Sequence, residues 1–167
     1  MLILTPKISN TVEFFTEQIL GKIDHVYELY HRLMIISAPT GSGKTRALQE
    51  VHKQLKAPLI NLNLEISRRM LDLTERQRAV QIPRLLGDMI NTVKESIILV
   101  DNIEILFDVA LKQDPLRLLQ GLSRNHTIIA SWNGFIENGF LTYAVPGHPE
   151  YKRYQLHEGD FLVITPA

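Results

Sequence analysis

The chain has 167 residues, 45% of them apolar, with 18 acidic residues balanced by 18 lysines and arginines and no cysteine. That length predicts one domain, 1–167, with a real core. Absent cysteine excludes disulfides, zinc–thiolate sites and thiol nucleophiles, and zero net charge gives the whole molecule no electrostatic pull on nucleic acid or membrane.

No apolar run approaches transmembrane length. The opening Met1-Leu2-Ile3-Leu4 leads straight into Thr5-Pro6-Lys7, with no basic leader or cleavage site, so a cytoplasmic protein is expected. Asn10 followed by Glu13 reads as a helix start. Phe15, Ile19, Ile23, Val26 and Tyr30 then share one face of a helix running to about Arg32. Residues 1–31 are thus expected to form an N-terminal helix packed beside a sheet.

Residues 32–37 are a strand-length, mostly apolar run, followed by Ala38-Pro39-Thr40-Gly41-Ser42-Gly43-Lys44-Thr45 and then by Leu48, Val51 and Leu55 at helical spacing. Strand, glycine-rich turn and helix together mark a phosphate-binding loop. Glycines let successive N–H groups converge on an anion, and the helix start points its unsatisfied donors and dipole at the same place. The residues expected to hold nucleotide are Pro39, Thr40, Gly41, Ser42, Gly43, Lys44, Thr45 and Arg46. Lys44 would reach the β- and γ-phosphates, and Thr45 would coordinate Mg²⁺. Ala38 stands where such loops usually begin with glycine, which requires that it keep a negative φ.

Lys56-Ala57-Pro58 ends that helix, and residues 59–64 alternate as a strand does, with Glu65 at its carboxyl end. Residues 66–93 read as helix in two or more pieces, with Thr74 as a cap and Pro83 as a break or first-turn residue. Arg68, Arg69, Arg76, Arg78 and Arg84 make either a solvated face paired with Glu65, Asp72 and Glu75 or a contact surface for an acidic partner or nucleic acid. Residues 96–101 read as a strand buried on both faces. The run ends in Asp101, the expected Mg²⁺ partner acting through metal-bound water.

Asp114-Pro115 caps a helix whose apolar face runs from Leu116 to Leu122. Residues 127–132 form another strand with Asn133 just past its end, where it would orient the attacking water, sense the γ-phosphate, or simply turn the chain before Gly134. Residues 140–145 and 161–165 both read as strands, and one of them should complete the sheet beside the phosphate-loop strand. The six histidines form no ligand spacing and read as surface or core residues.

Hydrolysis needs a group to orient or deprotonate water. The residue after Asp101 is Asn102, which cannot accept a proton, so Glu104 and Glu65 are the candidates, with Glu104 favoured because it shares the Asp101 loop. Arg124, seven residues from Arg117 on one helix face, would lie far from its own nucleotide. It is either an arginine finger offered to a neighbouring subunit or a helix C-terminal arginine favoured by the dipole.

Taken together, the segments 38–45, 61–65, 101–107, 114–116, 122–124 and 143–154, the last containing Gly147-His148-Pro149-Glu150-Tyr151, resemble the BrxF family, the small P-loop proteins of type-3 BREX phage-defence systems. The resemblance covers residues 33–154. It implies a bacterial cytoplasmic ATPase related to the AAA+ class, working beside a DNA methyltransferase and other defence proteins. The expected fold is a three-layer α/β P-loop NTPase sandwich, parallel strands in order 5-1-4-3-2, with no C-terminal helical lid. The expected function is Mg-ATP binding and slow hydrolysis, coupled to nucleotide-dependent homo-oligomer formation and to partner or DNA engagement, with no membrane role. An ATP-gated adaptor or loader with incidental hydrolysis is the alternative. A small-molecule or nucleotide kinase is disfavoured by the lack of an acceptor constellation.

Overall fold

In the computed structural model the described residues are 4–166, with side chains from residue 10 onward; Met1-Leu2-Ile3, read above for a leader, lie outside them. The elements are α1 (Leu4–Val26), β1 (Leu33–Ala38), α2 (Lys44–Leu55), β2 (Leu59–Asn61), α3 (Leu62–Arg69), α4 (Glu75–Asn91), β3 (Ile97–Asp101), α5 (Pro115–Leu122), β4 (Thr127–Glu137), β5 (Phe140–Tyr143), β6 (Lys152–Gln155) and β7 (Leu162–Ile164). Two 3-10 turns, Ile103–Phe107 and Val109–Leu111, lie between β3 and α5.

The main sheet runs β2-β3-β4-β1-β7, all parallel, which is the expected 5-1-4-3-2 order with β7 as the fifth strand. Every residue of β1 is buried, and successive ones alternate between two cores as a pleated strand requires. Leu33 and Ile35 pack with Leu62, Ile66, Ile82 and Leu86 of α3 and α4, whereas Met34 and Ile36 pack with Phe15, Ile19, Leu48 and Val51 of α1 and α2. Helices therefore cover both faces, giving three layers. No helix among the described residues is long and apolar enough to cross a membrane.

Several boundaries differ from the sequence reading, each for a local reason. Helix α1 is already formed at Leu4, so Asn10 lies inside it rather than at its cap; Pro6 falls in the first turn, where no N–H has an intrahelical partner to lose. The helix also stops at Val26, because the N–H groups of Tyr30 and His31 donate to Gly159 and Asp160 carbonyls at 3.1 and 2.8 Å instead. Strand β2 is only three residues long. Asn61 caps α3 by accepting from the Leu64 N–H at 3.1 Å, and Leu62 and Ile66, four apart, are buried on a helical face. The alternation in 59–64 is thus a cap followed by a helix.

Thr74 caps α4 in a reciprocal pair with Gln77, but Pro83 lies in the helix interior without ending it. A proline there leaves the carbonyl four residues back without its donor. That carbonyl belongs to Ala79, and the Gln113 side-chain amide donates to it at 2.7 Å. The segment after Asp101 is 3-10 rather than α-helical, and α5 ends two residues before Arg124. Strand β4 does not stop at Trp132. It runs on through Asn133 and, from Gly134, pairs antiparallel with β5, which in turn pairs with β6. Strand β6 was not expected: Lys152-Arg153-Tyr154-Gln155 shows no apolar alternation, and it is held by the Arg153 guanidinium 3.6 Å over the Phe140 ring and by Tyr154 against Trp132.

Candidate functional site

Where β1 leaves the sheet, Gly41 and Gly43 adopt φ of 80° and 96°, the left-handed region that an L side chain resists. Ala38 is still in β1 and is not among the positive-φ residues, as its side chain demands. The Ser42 hydroxyl and N–H both turn back to the Pro39 carbonyl, at 2.5 and 3.3 Å, so Ser42 closes the loop on itself. Lys44 opens α2 and folds over the loop. Its ammonium donates to the Ala38 and Pro39 carbonyls at 2.6 and 2.8 Å. At 6% exposure, burial pushes its pKa down to about 8, against the opposing pull of the Glu104 and Asp101 carboxylates.

Asp101 ends β3, also 6% exposed. Its carboxylate accepts from Thr45 Oγ1 at 2.7 Å on one oxygen, and from Ser131 Oγ at 2.5 Å and its neighbour Asn102 N–H at 3.0 Å on the other. Asn102 takes the left-handed conformation, φ 55° and ψ 56°, which turns the chain so that Glu104 comes back toward the strand ends. Glu104 accepts from Asn133 Nδ2 at 2.6 Å. Asn133 therefore sits within a strand beside β1, paired with Ala38, not in a turn.

These groups line one cleft of about 280 Å³ at the carboxyl ends of the strands, completed by Thr40, Gly41, Gly43 and Arg46. Open parallel sheets place ligands at that edge. The cleft offers a cation, a glycine-rich loop leading into a helix start, and the paired oxygens of Thr45 and Asp101. Hard oxygen donors of this kind suit Mg²⁺. Among the described residues no three His, Asp or Glu side chains converge, so a divalent cation here would complete its shell with phosphate oxygens and water.

Of the residues singled out from sequence, Lys44, Thr45, Asp101, Glu104 and Asn133 come together. Glu65 does not: it lies in the first turn of α3, 3.4 Å from Arg68 and outside the cleft, because the helix begins where a strand was expected. Arg124 is exposed in the turn that precedes β4, at the opposite edge of the sheet from the cleft. Ser131 was missed. Its one sequence signal is a lone hydroxyl in the buried run Ile128-Ile129-Ala130-Ser131-Trp132, and only the β3–β4 pairing tells which carboxylate it meets.

Gly134 fixes how β4 leaves the site. A Cβ there would stand 1.8 Å from the Thr142 carbonyl oxygen, while the Gly134 carbonyl accepts from Ser37 Oγ at 2.9 Å. No family model matches the chain, and no curated protein is significantly similar to it. Among solved structures, the chain is similar to Rhizobiales Trip13 at 14% identity over 97% of its length, with a TM-score of 0.36. It spans 58% of that longer chain, and a TM-score so low adds nothing to what the strand order and the cleft establish.

Proposed function

We propose that the protein binds Mg-ATP in the Lys44–Asp101 cleft and hydrolyses it slowly. The observation that carries this reading is the convergence of Thr45 and Asp101, 56 residues apart, at 2.7 Å beside the Lys44 ammonium. Backbone N–H groups of the loop and the α2 start would bind the phosphates, and Lys44 would exchange its two carbonyl partners for β- and γ-phosphate oxygens. Thr45 and Asp101 would hold Mg²⁺, which when bound neutralises charge on the phosphates. Glu104 would orient the attacking water and accept its proton. Its bond to Asn133 Nδ2 occupies one carboxylate oxygen at 2.6 Å, leaving the other to engage the water, which supports a slow rate. Titration calorimetry tests the reading: Mg-ATP binds wild type, and Lys44→Ala or Asp101→Asn abolishes binding while the fold survives. In turnover assays Glu104→Gln should lower kcat by roughly 10²-fold, with Glu65→Gln close to wild type. Equal losses in both would overturn the assignment of Glu104.

The resemblance to the BrxF family supports a setting in bacterial, cytoplasmic phage defence, with nucleotide-dependent self-assembly engaging other BREX proteins or DNA. Arg124, exposed and remote from its own cleft, is free to serve a neighbouring subunit. Arg124→Ala should then reduce hydrolysis of the assembled protein with nucleotide affinity intact. The Asn133–Glu104 bond also favours a second reading, an ATP-gated adaptor or loader whose hydrolysis is incidental. Sedimentation without nucleotide, with ADP and with a non-hydrolysable analogue separates the two. Assembly that needs only the analogue favours the adaptor; assembly that dissolves with turnover favours the ATPase.

A further inference from the structure

The Gly147-His148-Pro149-Glu150-Tyr151 segment has no part in the chemistry above, yet two of its side chains line a second cavity of about 340 Å³. This cavity shares Thr40 and Asn133 with the nucleotide cleft, so it adjoins the end where Asn133 meets Glu104. Its apolar surface comes from Phe135 and Val145, 50% and 60% exposed, and from the buried Tyr143. Ala144 forms part of the wall at φ 61°, a conformation that costs an L residue energy and clusters at ligand sites. The Glu150 N–H donates to His148 Nδ1 at 3.0 Å, which leaves Nε2 to carry the proton of the neutral ring.

The electrostatics are one-sided. No lysine or arginine lines the cavity. Among the described residues the Glu150 carboxylate has neither an ion pair nor a hydrogen bond. Glu104 and Glu150 both act on Tyr143, which burial first and these charges second keep protonated, with its pKa pushed up to about 12. Aromatic surface, an apolar rim and an unpaired carboxylate together favour a cation carried on a hydrocarbon stem.

We propose that this cavity recognises an organic cation, a guanidinium or alkylammonium group, with its stem along Val145, its head against Phe135 and Tyr143, and its charge met by Glu150. The proposal rests on the nucleotide reading only in placing that cation beside the terminal phosphate. The same chemistry is available from an arginine or lysine of a second copy and from a soluble amine.

The test is to titrate n-butylguanidinium, with neutral n-butylurea as control, into nucleotide-free protein and follow Trp132 fluorescence and the His148 ring resonances. Wild type should bind the cation saturably and not the urea, and Glu150→Gln should weaken binding by about tenfold. Phe135→Ala should weaken it too, with thermal melts confirming that both variants fold. Equal binding of the urea, or cation binding indifferent to both substitutions, overturns the proposal. Calorimetry with Mg-ATP on the same samples separates this from the nucleotide reading: failure of ATP binding with intact, Glu150-dependent cation binding sinks that reading alone. Sedimentation then assigns the source. Dissociation of oligomers by n-butylguanidinium or by Glu150→Gln points to a side chain of another copy, and association that neither alters points to a soluble amine.

Discussion

Lys44 titrates within the working range of an ordinary buffer, and its pH dependence follows from burial. Its pKa falls from 10.5 to about 8 in the folded protein. Between those two values the unfolded chain holds a proton that the folded one has shed, so this group's contribution to stability rises with pH across that window. The proposed phosphate binding would run the other way, because it would need the ammonium. Mg-ATP affinity should hold below pH 8 and then fall by up to about tenfold per pH unit; calorimetry in buffers of different ionisation enthalpy should show proton uptake on binding above pH 8 and none at pH 6.5. Gly134 is the other residue whose identity is forced. Gly134→Ala drives a methyl into the Thr142 carbonyl and should cost about 3 kcal/mol in chemical denaturation, by parting β5 from β4 where Asn133 is held.

At the scale of elements, α4 is the informative case, since it contains both a local signal and a tertiary repair. The Thr74–Gln77 capping box needs nothing beyond its own turn, and Thr74→Ala should cost about 1 kcal/mol. Pro83 instead relies on a donor 34 residues from Ala79 in the chain. Gln113→Ala leaves the Ala79 carbonyl unpaired and should cost about 1–2 kcal/mol. In a Pro83→Ala background the backbone N–H at 83 can take that bond, so Gln113→Ala should cost less there, losing only its second bond, to the Leu111 carbonyl at 2.7 Å. A double-mutant cycle reads the difference directly, and additive losses would show that Gln113 acts elsewhere. The 3-10 turn Ile103–Phe107 is a second such element. It carries Glu104 at one end and Phe107, stacked on Tyr143 at 3.5 Å, at the other, so the β4–β5 hairpin and the candidate carboxylate share one support.

For the whole molecule, the cleft joins β1, β3 and β4, so ligand bound there bridges three strands of the sheet. Mg-ATP at 100 times its Kd should stabilise the fold by about 2.7 kcal/mol, seen as a raised melting temperature. Lys44→Ala should erase the shift without lowering the melting temperature of the free protein by a comparable amount. The same scale explains what the sequence left open. Residues 140–145 and 161–165 both read as strands, but β5 pairs only with β4 and β6, while β7 pairs with β1. Nothing within either segment distinguishes these fates, since each depends on which backbone edge is vacant nearby.

Local chemistry alone determined β1, the glycine turn, the start of α2, and β3 ending in Asp101. Buried strands, left-handed glycines and helix starts are written in adjacent residues, and their joint pattern already implied a parallel sheet with a phosphate-type loop. Only tertiary structure set Glu104 in the cleft and Glu65 outside it, brought Ser131 to Asp101, kept Asn133 in a strand and made a cavity around Glu150. Each of those depends on pairing between segments tens of residues apart, where a one-residue change of register moves a side chain to the opposite face.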